Sequence, residues 1–417
     1  MQVIYYYDEP PVSYSKSIFL AGPSPRTQNI VSWRKDALRL LELKGYDGIV
    51  FIPEPNPADE NNSKFEWSKA PHWEYKMLSR ADIILFWVPR DMRLMLDSMS
   101  QLSKELAAKK EREVADNFEP ELRFPGMTTN IEFGYWANSG KAVLGHPIGA
   151  SQTRYLSEFM TNKFYVPFSN SLGNIIDKAL KIINAGALRT GGERDIPLNI
   201  WRMRAFQNWY QSQTNAGNRL DGAKIEWISR VLNNPKAIFM VALRPNIYVV
   251  SEDRNKFNDP VVIRLDISSV VLYKIRADLF NSEVVLIKEF RSAASTPDGF
   301  IWELPGGSSP YLENPLEVAI EEVREEVGLE IEADRFRQVG SRQMAGTLSG
   351  HKSHTYAVEL TEAELTWLKN QKGLPHGSDY PHNSTGERIY TEVVTLKEVI
   401  SNPGIDFANL GMILTAL

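Results

Sequence analysis

GGSSPYLENPLEVAIEEVREEVGL, residues 306–329, decides how the carboxyl-terminal half of this chain is read. A Gly-Gly loop leads into a short helix carrying Glu322, Glu325 and Glu326. A helix repeats about every 3.6 residues, so positions i, i+3 and i+4 share one face. Three carboxylates gathered there repel one another unless a cation neutralises them. A hard divalent ion such as Mg2+ takes carboxylate oxygens and keeps waters for a phosphate ligand, and Mn2+ shares that oxygen preference. A run of charge is ordinarily a solvated face; the spacing argues for a metal here.

That spacing resembles the Nudix box, G-x5-E-x7-R-E-U-x-E-E-x-G-U with U aliphatic. Gly307 takes the first glycine and Glu313 the first acid, followed by Glu321, Glu322, Val323, Glu325, Glu326, Gly328 and Leu329. One fixed position departs, since Glu321 stands where the family has an Arg that pairs with a box carboxylate. Either metal affinity changes, or a basic residue from elsewhere takes its place. Outward from the box, VVLIKEF (284–290) reads as a buried strand and GFIWELPGG (299–307) as a strand entering the loop. Pro315 suits a first helical turn and Gly328 a left-handed cap. FRSAASTPDGFIWELPGG resembles the approach to the box in Nudix enzymes acting on ADP-ribose. The resemblance implies an α+β Nudix fold, a mixed sheet in an α/β/α sandwich. It also implies Glu322, Glu325 and Glu326 as metal ligands, Glu325 and Glu326 in catalysis, and Arg291 and Gly307 at the substrate. An extra carboxylate is expected from Glu359, Glu387 or Glu392. His351, Lys352 and His354 stand where such enzymes often place acids, and offer donors to a phosphate instead.

At 417 residues the chain exceeds one ordinary core, and two domains of roughly 150 to 200 residues are expected. It is 43% hydrophobic and 24% charged, with net charge −5, which argues against a general grip on nucleic acid. No long apolar run or signal pattern is seen, so neither a membrane partner nor export is expected. The absence of cysteine excludes disulfides, thiolate metal sites and cysteine nucleophiles. A cytoplasmic protein with small-molecule nucleoside or nucleotide substrates is expected, and a homo-oligomer is left open.

The first domain is placed at 14–185. SIFLAG (17–22), GIVFIPEP (48–55), ADIILFWVP (81–89) and KAVLGHP (141–147) read as strands, with a helix over 30–45. Strands this continuously apolar, alternating with helices, indicate an α/β parallel sheet of flavodoxin or Rossmann type, with ligands at the carboxyl ends. Residues 186–234 read as a helical connector with Trp201, Trp209 and Trp227, more plausibly packing than stacking on a base. The second domain is placed at 235–417, opening with strands AIFMVAL (237–243) and IYVVS (247–251).

IFLAGP (18–23), SRADIILFW (79–87) and GMTTNIEFGYWANSGKAV (126–143) resemble the nucleoside 2-deoxyribosyltransferase family. In that family a glutamate attacks the anomeric carbon, releases the base and passes the sugar to another base or to water. The resemblance implies Glu132 as nucleophile and Asp82 as the acid at the departing base, the two roles the chemistry needs. Gly22, Phe19, Thr129 and Asn130 are implied around the substrate, with Thr128 nearby; Arg26, Trp33, His72 and Trp73 are left without assigned roles. Phe19 departs from a Tyr found in some members, and Gly126 falls where a second aspartate is expected. The expected protein is a bifunctional nucleotide enzyme, breaking an N-glycosidic bond in the first domain and a nucleoside diphosphate such as ADP-ribose in the second. If the first released nicotinamide from NAD, the second could cut the ADP-ribose formed. The alternative is a nucleotide sensor with a degenerate Nudix site.

Overall fold

The computed structural model describes the chain apart from residues 25–30, 59–69, 91–125, 232–233 and 377–387. It divides into two compact units, Met1–Pro260 and Val261–Leu417.

In the first unit, strands β1 (Gln2–Tyr5), β2 (Ser17–Ala21), β3 (Ile49–Ile52), β4 (Ile83–Trp87), β5 (Ala142–Gly145) and β6 (Phe168–Ser169) form one parallel sheet in the order β1-β3-β2-β4-β5-β6. Every residue of β2, β3, β4 and β5 is buried, because helices cover both faces. Helices α1 (Arg34–Leu43) and α4 (Leu172–Ile183) close one face through Ala37, Leu41, Ile175 and Ala179. Helices α2 (Ala70–Arg80) and α3 (Met127–Trp136) close the other through Met77, Leu78 and Phe133. The chain steps from β2 to β3 on one side, then returns across β2 to β4. The carboxyl ends of β2 and β4 therefore flank a switch point, where such sheets hold their ligands.

The unit is larger than the sequence implied. Residues 1–13, outside the expected domain, contribute β1, which pairs with β3 from Gln2 to Tyr5. The stretch read as a helical connector does contain helix α5 (Arg204–Asn215), with Trp209 packed against Phe206. It then enters a long antiparallel hairpin, β7 (Arg219–Val231) with β8 (Asn234–Val249). AIFMVAL and IYVVS, expected to open the second domain, thus belong largely to β8 of the first unit, and Trp227 lies on β7 opposite Ala242. Alternation in KIEWISRV suits a strand as well as a helix end, and the cross-strand partner decides. The boundary falls after Pro260 rather than after residue 234.

The second unit is built on a mixed sheet. Its strands are β9 (Ile267–Lys274), β10 (Glu283–Phe290), β11 (Phe300–Glu303), β12 (Gly306–Gly307), β13 (Arg337–Gln343), β14 (Lys352–Glu359), β15 (Pro375–His376) and β16 (Ile389–Thr395). β9 runs parallel to β14, while the other pairings within this sheet are antiparallel. One face packs on helix α6 (Pro315–Glu322) and α7 (Glu362–Asn370) through Ala319, Val323 and Leu368. The other packs on α8 (Leu396–Ser401) and α9 (Phe407–Ala416) through Val399 and Ile413. The architecture is a mixed sheet between helical layers. Among the described residues, no helix is long and apolar enough to cross a membrane.

Candidate functional site

At the switch point of the first unit, Gly22 holds φ 153°, and a Cβ there would fall 2.2 Å from the carbonyl oxygen of Trp87. Only glycine lets the ends of β2 and β4 approach this closely. Arg34, 1% exposed, spans the same edge. Its Nε donates to the Leu20 carbonyl at 2.9 Å, its Nη2 to the Gly22 carbonyl at 2.7 Å, and its Nη1 to Glu54. Ser32 Oγ donates to the same Glu54 carboxylate at 2.8 Å. Burial pushes the Arg34 guanidinium below its ordinary value, against the charges of Glu54, Glu74 and Glu132.

Glu132 stands in the middle of α3. Desolvation pushes its carboxyl up to about 8; the Glu74 charge adds to this and Arg34 opposes it. The pair Glu74 and Glu132 thus resists double ionisation, and a proton is retained near neutral pH. Asn130 accepts from Arg90 Nη2 at 2.8 Å, while Thr129 is buried under the helix start.

Two implied site residues are elsewhere. Asp82 lies at the amino end of β4, opposite the ligand edge. It accepts from Ser17 Oγ at 3.0 Å and from Arg189, and both side chains of the Asp82–Arg189 pair have zero exposure. It is a structural ion pair, not an acid at a departing base. Phe19, 2% exposed, packs with Phe51 and Trp73 in the core and reaches no ligand surface. Trp73 is core with it, His72 is exposed, and Arg26 lies outside the described residues. Sequence reasoning missed Arg34, Glu74 and Arg90. Arg34 and Glu74 sit inside amphipathic helices, where a charged residue is ordinary.

In the second unit, Glu326 Oε2 accepts from the Gly306 amide at 2.8 Å. A Cβ on Gly307 would fall 2.3 Å from Glu322 Oε1, so the Glu322 carboxylate occupies the space beside that glycine. The expected continuous α-helix instead passes into a π-turn over Val323–Val327, ending at Gly328 with φ 76°. The wider i→i+5 turn keeps Glu326 nearer the Glu322 face and swings Glu325 off it. Glu326 is 7% exposed, whereas the Glu325 side chain is 36% exposed and lies 3.9 Å from Arg324. Glu321 pairs with Arg324 at 2.7 Å on the helix surface.

Arg291 meets Glu289 at 2.8 Å and Glu303 at 2.7 Å. Burial works against its charge, and Glu303, Glu289 and Glu326 together outweigh it, holding the guanidinium above its ordinary value. Among the extra carboxylates expected, Glu359 pairs with Lys274 and Glu392 with Lys372, while Glu387 lies outside the described residues. His354 is held between Ser341 Oγ at 2.6 Å and Asp266 at 3.4 Å, and His351 contacts Ser349 Oγ. The all-oxygen donors of Glu322, Glu325 and Glu326 suit Mg2+ by chemistry. Glu322 and Glu326 both reach the Gly306–Gly307 loop, while among the described residues no three acidic or histidine side chains gather as a ligand set.

Residues 15–149 match the model of a family described as nucleoside 2-deoxyribosyltransferase like. No curated protein matches the chain. The amino-terminal part of the chain is a nucleoside 2-deoxyribosyltransferase-like domain, and that match contains Gly22, Arg34, Glu74, Arg90 and Glu132.

Proposed function

We propose that the first unit breaks the N-glycosidic bond of a nucleoside or nucleotide, passing the sugar to another base or to water. The observation that carries this reading is Glu132 on α3, part-buried and within reach of the charges of Arg34 and Glu74, Arg34 being bonded to the Gly22 carbonyl at the switch point. An ionised Glu132 attacks the anomeric carbon: the bond to the base nitrogen breaks and a carbon–oxygen bond to Glu132 forms. Glu74 replaces Asp82 as the acid that gives the departing base its proton, and Arg34 steadies the ionised carboxylate. An acceptor base or water then displaces Glu132. The test is release of free base from a panel of nucleosides and nucleotides, read by mass. Glu132→Gln should abolish it in a folded protein, and unchanged release would overturn the assignment.

For the second unit we propose hydrolysis of a nucleoside diphosphate derivative such as ADP-ribose. This reading is supported by Glu322 and Glu326 reaching the Gly306–Gly307 loop from one helix. Arg291 takes the role that Glu321 vacates, offering a cation to Glu326 from another strand end and a donor fork to a diphosphate. Mg2+ or Mn2+ held by Glu322, Glu325 and Glu326 would neutralise the diphosphate. The rival reading is a nucleotide-binding sensor, for which the departure at Glu321 speaks. Calorimetry beside a turnover assay separates the two, because a sensor binds without consuming. A cytoplasmic setting and small-molecule substrates fit both readings.

A further inference from the structure

Strand β10 brings three side chains into one row across the sheet of the second unit. Lys288 stands opposite Trp302 of β11 on one side and opposite Tyr390 of β16 on the other. Neighbouring residues of a strand face opposite ways, and two contacts fix which way this row faces. Thr391, next to Tyr390, donates its hydroxyl to the Glu326 carbonyl at 3.4 Å, on the face that packs on α6. Trp302 packs on the core that includes Val399 of α8 and Ile413 of α9, on the other face. The row therefore lies on the side of the sheet turned away from α6 and from the turn that carries Glu326.

Together with Phe300, Lys372 and Glu392 the row lines a cavity of about 300 Å³. Trp302 and Tyr390 are two strand spacings apart, so their attachment points are separated by roughly 9–10 Å. Carbon atoms touch best at about 3.5–4.0 Å, which leaves room for one flat ring between two aromatic walls. The Lys288 ammonium leans toward β11, 5.0 Å from the Phe300 ring centroid and 5.4 Å from that of Trp302, and pairs with Asp298 at 3.2 Å. The polar groups suit the edge of a heteroaromatic ring. Lys288 and Lys372 can only donate, while Glu392, ion-paired with Lys372, only accepts when ionised. Charges of both signs meet here, so nothing singles out an anion. An aminopurine offers both matches, ring nitrogens that accept and an exocyclic amine that donates. The volume is at the low end for small-ligand sites, which suits a base or a nucleoside rather than a dinucleotide.

We infer that Trp302, Lys288 and Tyr390 form a binding site for an aminopurine ring, as the free base or its nucleoside, on the face of the second unit turned away from Glu326. Stacking on the two aromatic rings holds the ligand, and the lysines and Glu392 read its edge. The site is separate from both reactions proposed above and does not rest on either.

The experiment irradiates the full-length protein with 8-azidoadenosine and maps the labelled peptides by mass. Wild type should carry label on the peptides holding Trp302 and Tyr390, and adenosine should suppress it at least ten-fold while ribose and inorganic phosphate do not. Suppression by adenine as well would show that the base alone is recognised, and suppression by adenosine alone that the sugar adds to it; either supports the site. Tyr390→Leu, which keeps bulk and loses the flat ring, should cut label on the Trp302 peptide at least ten-fold, and Lys288→Met several-fold. Label confined to other peptides in wild type would overturn the proposal, as would undiminished label in a cooperatively melting Tyr390→Leu protein. Should that variant fail to fold, Lys288→Met decides, and unaltered label would overturn it. Glu132→Gln and Glu326→Gln should label as wild type does. Loss of label in Glu326→Gln would move the ring to the hydrolytic site and overturn a separate one. A protein that performs neither proposed reaction yet labels in this way keeps the site.

Discussion

Asp82 and Arg189, 107 positions apart in the chain, form an ion pair with no exposure on either side chain. The pair joins the amino end of β4 to the segment after α4, and Arg189 Nη1 also donates to the Ile196 carbonyl at 2.6 Å. Removing one partner leaves the other charged and buried, at a cost of about 3–5 kcal/mol. Asp82→Ala should therefore lower the melting temperature by roughly 10 °C, while base release per folded molecule stays within about two-fold of wild type. A thermal melt and an assay well below the transition check both. Lost turnover in a stable protein would return Asp82 to the chemistry.

The acidity of Glu132 sets two pH dependences. The reaction needs Glu132 ionised and the shared proton on Glu74, so kcat/KM for base release should fall as pH climbs through about 8, where the pair loses that proton. The folded state also binds that proton more tightly than an ordinary carboxyl of 4.5 would. Its stabilisation is therefore complete below about pH 4.5 and lost as pH climbs to about 8. Glu132→Gln should raise the melting temperature relative to wild type by a few degrees at pH 9 and by less at pH 5. A flat rate profile with an unchanged melting difference would contradict the placement of this group.

The glutamates of the second unit should differ in importance. Glu326→Gln weakens the charge held against the Gly306 amide, and diphosphate hydrolysis should fall by orders of magnitude. Glu325→Gln alters a half-exposed group beside Arg324, and the loss should be about ten-fold or less. Steady-state assays with ADP-ribose and Mg2+ measure the contrast. Equal losses would show that Glu325 returns to the Glu322 face during turnover.

Two glycine substitutions separate fold from site. A Cβ at position 22 meets backbone, the Trp87 carbonyl oxygen, and the φ there is already costly for an L side chain. Gly22→Ala should therefore destabilise the first unit by more than about 1 kcal/mol. At position 307 the Cβ meets only the end of a flexible Glu322 side chain. Gly307→Ala should keep its melting temperature within about 2 °C while displacing Glu322 and lowering hydrolysis at least ten-fold. Denaturation read beside activity decides each case.

The two reactions should also part under chelation. EDTA should stop diphosphate hydrolysis and leave base release intact, while Glu132→Gln should do the reverse. Loss of both activities from either treatment would show that the two units do not work independently.

The sequence by itself determined the parallel sheet of the first unit, because strands covered on both faces must be continuously apolar and SIFLA and IILFW have no other stable use. It also determined the loop and helix at 306–328, whose glycines, Pro315 and left-handed Gly328 act locally through backbone geometry. Which acids face a ligand was left to tertiary structure. Asp82 reads like a site residue until Arg189 arrives from far along the chain, while Glu74 and Arg34 read as helix surface until folding turns them toward Glu132. The same limit applies to the hairpin at 219–249, where a strand is chosen by its partner, and to Glu325, moved off the expected face by a π-turn. Local propensity acts over a few neighbouring residues, whereas burial, charge pairing and strand pairing are settled only when distant segments meet.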